Sequence, residues 1–172
     1  SFAGPLTYPK NEALRAIAQA LPIDRMLVET DCPYLSPQGW RGKRCEPAYV
    51  RTTAEKLAEI KGLTIEDVAR ITSLNAWRLF GIGKVDQSTR IAYVIRNSLY
   101  LNITNRCTNS CTFCAKFNDF TVKGHQLCLE REPSSAEVLA AIGDPSAYDE
   151  VVFCGYGEPL LRLDLVKDVA RF

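Results

Sequence analysis

The sequence predicts an α/β protein made of two incomplete halves, and three observations predict it. Helical periodicity alternates with short apolar, strand-like runs in both halves. A small, polar, flexible stretch, Gly81 to Thr89, interrupts every periodicity between them. Neither half offers more than two or three strands, whereas a closed α/β barrel needs eight and about 250 residues.

The elements follow in order. Leu14, Ile17, Ala18 and Leu21 fall at i, i+3, i+4, i+7 and predict a short helix, which Pro22 ends. Met26-Leu27-Val28 reads as a buried strand that stops at Glu29 and Asp31. Beyond a loop rich in Pro, Gly and charge (Pro33 to Pro47), Val50, Ala54, Leu57 and Ala58 mark a second helix ended by Gly62. Thr64 with Asp67 is a capping-box-like start for a third helix, whose buried stripe is Ile65, Val68, Ala69 and Thr72. A fourth, short helix carries Leu74, Leu79 and Phe80 to Gly81. Two domains are expected, 1–83 and 90–172, with 84–89 as the linker. In the second, Ile91 to Ile95 and Leu99 to Ile103 flank Arg96-Asn97-Ser98 as a hairpin. Ser134 with Glu137 opens a helix with Val138, Leu139 and Ile142 on one face, Val151-Val-Phe153 is the next strand, and Leu165, Val166, Val169 and Phe172 mark the last helix.

Composition bounds the function. The 172 residues are 47% hydrophobic and 24% charged, as a globular chain is. Lys plus Arg (21) nearly balance Asp plus Glu (20), so any nucleic-acid contact must come from a local site rather than a bulk positive field. No run of about twenty apolar residues and no signal-peptide pattern occurs, so a cytoplasmic protein without membrane contact is expected. Seven cysteines, an odd number with three tightly clustered, point to a reducing compartment rather than a disulfide framework.

Those three carry the chemistry: Cys107-Thr-Asn-Ser-Cys111-Thr-Phe-Cys114 follows the apolar run Leu99 to Ile103 directly. Three thiolates within eight residues can converge on one iron–sulfur cluster and leave one of its irons without a protein ligand. Zinc is the alternative, with Cys128, Cys154 or His125 as a further ligand. Gly155-Tyr-Gly-Glu-Pro159 ends the next strand, where glycines let the backbone approach a ligand closely. Phe113 is expected to cover the cluster, and Cys32, Cys128 and Cys154 to be buried small side chains. Asn102-Ile-Thr104 matches a glycosylation acceptor by coincidence.

Two resemblances attach to these residues. Leu27-Val-Glu-Thr-Asp-Cys-Pro-Tyr-Leu35, Arg41-Gly-Lys-Arg-Cys-Glu-Pro47 and Asn75-Ala-Trp-Arg-Leu-Phe-Gly81, with Ser1-Phe-Ala-Gly4, resemble the closing segments of the TatD family of metal-dependent hydrolases and deoxyribonucleases, over about residues 1–83. The resemblance implies the last strands and helices of a TIM-type (β/α)8 barrel. It makes Asp31 a catalytic residue and ligand of a divalent metal (Mg or Zn), Glu29 a supporting carboxylate, and DNA a partner. That family builds its site mainly from histidines, and this half has none; Cys45 stands where the family usually shows asparagine. Asp31 alone cannot hold a metal that wants four to six ligands, so the segment alone is expected to be hydrolytically inactive.

The pattern Cys107-x-x-x-Cys111-x-aromatic-Cys114, with the glycine-rich strand end, resembles the radical S-adenosylmethionine (radical SAM) superfamily, in particular the radical proteins associated with TatD nucleases. That implies the first strands and helices of a partial (β/α) barrel, also incomplete. It also implies a 4Fe-4S cluster on Cys107, Cys111 and Cys114, and S-adenosylmethionine on the open iron and on Gly155, Tyr156, Gly157 and Glu158. The cofactor would be cleaved to a 5′-deoxyadenosyl radical, with an electron donor such as a flavodoxin or ferredoxin. The expected function is thus a fragment of a bifunctional enzyme. The competing readings are a zinc-stapled structural module without turnover and a hydrolase alone.

Overall fold

A computed structural model describes residues 1–117 and 119–172, and the chain divides into two compact units, Ser1–Val85 and Asp86–Phe172. In the first unit, helices α1 (Glu12–Ala20), α2 (Val50–Lys61) and α3 (Ile65–Phe80) gather around Leu6, Met26, Leu57, Val68 and Ile71. Gly62 and Gly81, at φ 60° and 67°, end α2 and α3 in the left-handed conformation that glycine adopts without steric cost. The Thr64–Asp67 capping box is complete: Asp67 N donates to Thr64 Oγ1 at 3.1 Å and Thr64 N to Asp67 Oδ2 at 3.3 Å.

Three expectations for this unit are corrected. The strand over Met26–Val28 is one parallel bridge, Phe2 with Val28, because Gly4–Thr7 turns into a 3-10 helix and leaves the partner segment too short to pair further. The third and fourth helices are one helix, α3, since neither Gly nor Pro lies between Thr72 and Leu74 to stop it. In α1 only Ala18 is buried, with Leu14 packed beside the core, while Ile17 and Leu21 face outward.

In the second unit, β1 (Ala92–Ile95) pairs antiparallel with β2 (Ser98–Leu101) through the expected hairpin, with Arg96 at φ 58°. β2 pairs in parallel with β5 (Glu150–Phe153), Ser98 opposite Glu150 and Leu101 opposite Phe153, so the sheet order is β1-β2-β5. Helices α4 (Ser135–Ile142) and α5 (Leu163–Val169) lay Val138, Ile142, Leu165 and Val169 against Leu99, Leu101 and Ile103. A small hairpin, β3 (Thr121–Val122) with β4 (His125–Gln126), was not expected. Among the described residues no helix is long and apolar enough to cross a membrane.

The capping box of α4 is also complete, with Glu137 Oε2 accepting from Ser134 N at 2.8 Å and from Arg131 Nη1 at 3.0 Å. The Arg131 guanidinium, and then the Ser134 donors, hold the Glu137 carboxyl at about 2 against an ordinary 4.5. A folded value below the unfolded one means the contribution is present above about pH 4.5 and is lost as pH falls toward 2. Carbon-13 NMR of the Glu137 carboxyl is expected to show a midpoint near 2, and Glu137→Gln to remove that part of the acid dependence of unfolding.

Candidate cofactor site and acidic strand end

In the first unit the chain leaves the Phe2–Val28 bridge and turns at once, Tyr34 N donating to Asp31 O at 2.7 Å. The loop carrying Arg41, Arg44 and Glu46 is pinned to this turn: Cys45 N donates to Pro33 O at 3.0 Å, Cys32 Sγ to Cys45 O at 3.0 Å, and Ser36 Oγ to Lys43 O at 2.7 Å. From α3, buried Asn75 reaches back and donates to Ile23 O (2.9 Å) and Met26 O (2.8 Å), which fixes the approach to the strand end. Asp31 is half-buried and Glu29 exposed, and no third acidic, cysteine or histidine side chain joins them among the described residues. This donor set does not fit a catalytic divalent metal on its own.

The second unit brings the two sequence motifs together. Because β2 and β5 are parallel, their C-terminal ends leave the sheet at one edge, and the segment 102–106 lies against the glycine turn. A Cβ on Gly155 would fall 2.1 Å from Asn102 Oδ1, and one on Gly157 would fall 2.3 Å from Thr104 O and 2.5 Å from Arg106 O. Only glycine admits that approach. Glu158 N donates to Arg106 O at 2.8 Å, and Asn109 Nδ2, between the first two cysteines, donates to Glu158 Oε2 at 3.2 Å. The Glu158 carboxylate thus sits beside the cysteine loop.

Two residues overlooked in the sequence hold this arrangement. Asn102, 0% exposed, donates to Arg90 O (3.0 Å) and Leu127 O (2.7 Å) and accepts from Tyr156 N (3.4 Å). Glu132 accepts from Arg106 Nε (2.7 Å), Arg106 Nη2 (3.1 Å) and Thr104 Oγ1 (2.5 Å), and Arg106 and then Thr104 hold its carboxyl below the usual range. The signal for Asn102 was present: a polar residue closing the apolar run Leu99 to Ile103 must find buried partners.

The three cysteines occupy one loop. Cys107 and Cys114 are half-buried and Cys111 is exposed; Asn109 N donates to Cys107 Sγ at 3.4 Å and Cys114 N to Cys111 O at 3.2 Å. Among the described residues no three His, Cys, Asp or Glu side chains are drawn together closely enough to hold a metal, so these thiols share a loop without sharing a centre. Phe113 is 89% exposed and covers nothing here. Cys128 and Cys154 are exposed and Cys32 is half-buried, whereas the buried cysteine is Cys45; strand proximity did not translate into burial because Cys128 and Cys154 stand just past the ends of β4 and β5. His125 Nε2 lies 3.0 Å from Val94 O and is engaged with it.

Three thiols in one loop beside a glycine turn and a carboxylate are the residue types an iron–sulfur cluster would take, but among the described residues the thiols do not converge on one centre. Tyr156 adds an orphaned group, since its hydroxyl is buried and has no hydrogen-bond partner, which costs about 1–3 kcal/mol.

Comparison with known proteins finds likenesses to the first unit. Residues 1–81 match the family model described as TatD related DNase. The uncharacterized metal-dependent hydrolase YabD of Bacillus subtilis is 49% identical over 82 residues, 48% of this chain and 32% of that protein. The uncharacterized metal-dependent hydrolase YcfH of Escherichia coli K12 is also 49% identical over 82 residues, 48% of this chain and 31% of that protein. The crystal structure of YJJV, a TatD homolog from E. coli K12, superposes with a TM-score of 0.45 at 26% identity, covering 47% of this chain and 31% of that one. The chain spans about a third of the length of the curated relatives it matches.

Proposed function

We propose, from the premise that residues 1–81 are a TatD-family segment, that the chain joins part of a metal-dependent hydrolase acting on DNA phosphodiesters to the opening of a radical SAM domain. In the hydrolase, Asp31 supplies one carboxylate to a divalent-metal site whose histidines belong to other strands. Among the described residues Asp31 and Glu29 have no such partners, so the metal site would need ligands from outside them.

For the second unit the supporting observation is the bond from Asn109 to Glu158, which ties the cysteine loop to the glycine turn. Cys107, Cys111 and Cys114 would hold a 4Fe-4S cluster, which requires the loop to draw the three thiols together, since ligand binding and folding are coupled at such sites. The chemistry such a cluster would supply is one electron toward cleavage of the sulfonium bond of S-adenosylmethionine. Gly155 and Gly157 let the backbone approach the cofactor, and Glu158 accepts its ammonium. The Arg106–Glu132–Thr104 network keeps the strand end in place.

Anaerobic reconstitution with iron and sulfide tests the reading. The expected result is a brown protein with about four irons per chain, and Cys111→Ala is expected to lose essentially all of it. Stoichiometric zinc with no chromophore would instead support the structural module.

A further inference from the structure

We propose that Cys32 and Cys45 are the two halves of a reversible disulfide that closes the basic loop between them, residues 33–44, onto the Asp31 strand end; the site is independent of the metal and cofactor readings. Two bonds already join the pair: Cys32 Sγ donates to Cys45 O at 3.0 Å, and Cys45 N donates to Pro33 O at 3.0 Å. The second bond lays the two backbones side by side, and the first sets one sulfur against the other cysteine's own carbonyl. A disulfide needs Cα atoms about 4.4–6.8 Å apart, and backbones joined by a hydrogen bond supply separations of that order.

Both thiols are free. Cys45 Sγ faces Glu46 O at 3.9 Å, long for a hydrogen bond, and Cys32 Sγ is engaged with the residue it would join. The intervening loop is ordered before any bond forms: Ser36 Oγ donates to Lys43 O at 2.7 Å, Tyr8 Oη to Ser36 O at 2.9 Å, and the Arg41 guanidinium lies 4.6 Å from the centre of the Tyr8 ring. Closing it therefore asks for a rotation of side chains and little else. Cys32 is half-buried and Cys45 is 1% exposed, which sets the order of attack. With a small disulfide such as oxidised glutathione, the Cys32 thiolate attacks one sulfur, the oxidant's S–S bond breaks and one glutathione leaves. The Cys45 thiolate then attacks Cys32 Sγ and the second glutathione leaves. Two protein thiols are oxidised, one glutathione disulfide is reduced to two thiols, and the two thiol protons pass to those leaving groups. Exposed Arg41, Lys43 and Arg44 ride on the loop, so the bond fixes their charges beside the strand end.

The test incubates the reduced full chain with oxidised glutathione, blocks the remaining thiols with N-ethylmaleimide, and maps tryptic peptides without reduction. Peptides 26–41 and 45–51, released by cuts after Arg25, Arg41, Arg44 and Arg51, should appear joined and two hydrogens lighter than their sum. Oxidation started from the urea-unfolded chain should give about tenfold less of the joined pair, because the pins that hold the two thiols together are gone. Cys45→Ser should leave Cys32 carrying one glutathione, since no second thiol displaces it. Peptides recovered only singly, or joined no more often in the folded chain than in the unfolded one, overturn the proposal, as does a Cys45→Ser chain whose Cys32 takes up no glutathione.

Discussion

Gly157→Ala is expected to unseat the glycine turn and to destabilise the second unit by more than about 3 kcal/mol. The added methyl group would lie 2.3 Å from Thr104 O, 2.5 Å from Arg106 O and 2.6 Å from Thr104 Cγ2. Two of those atoms are backbone, and the segment bearing them is fastened by Glu132 to Arg106 and Thr104 and by Arg162 Nη1 to Ile103 O at 3.0 Å. Neither side can retreat cheaply, so the Glu158 N bond to Arg106 O and the Asn109–Glu158 bond should break together. Hydrogen exchange resolved to residues 102–106 and 155–160 should show protection lost in both at once. A urea midpoint and exchange pattern like those of the unchanged protein would refute this.

Asn102→Ala is expected to cost about 3 kcal/mol, the second-largest effect. It strands Arg90 O and Leu127 O, removes the acceptor of Tyr156 N and leaves a cavity at a fully buried site. Asn102→Asp should be worse, because it sets carboxylate oxygens against two carbonyl oxygens that need donors. Urea unfolding followed by far-UV circular dichroism and by exchange in 86–172 measures both. Trp40 and Trp77 both lie in the first unit, so tryptophan emission does not report on these changes.

What could be read from the sequence was local. Both capping boxes, the Arg96-Asn97 hairpin and the glycine ends of α2 and α3 formed as expected, because each depends on residues within four or five positions of one another. The Met26–Val28 strand shrank to a bridge because pairing needs a distant partner of matching length, which Ser1–Ala3 does not provide. Cysteine burial was misjudged for the same reason: Cys45 is covered by a returning turn, and Cys154 lies beyond the ladder, neither of which hydropathy encodes. The placement of the cysteine motif after β2 and of the glycine motif after β5 was legible. The roles of Asn102 and Glu132 were not, since each acts on residues more than ten positions away.

The parallel register of β2 and β5 carries a consequence for how this unit tolerates length changes. Two neighbouring strands that point the same way deliver their chains to one rim however long the crossover between them is, so extra residues in the surface turn between α4 and β5 leave the rim intact. Between Leu101 and Cys107 no such slack exists. One residue inserted there would slide the sulfur-bearing loop out of step with its glycine counterpart, so tolerance to insertion should be lopsided across the unit, wide behind the sheet and nil at its mouth.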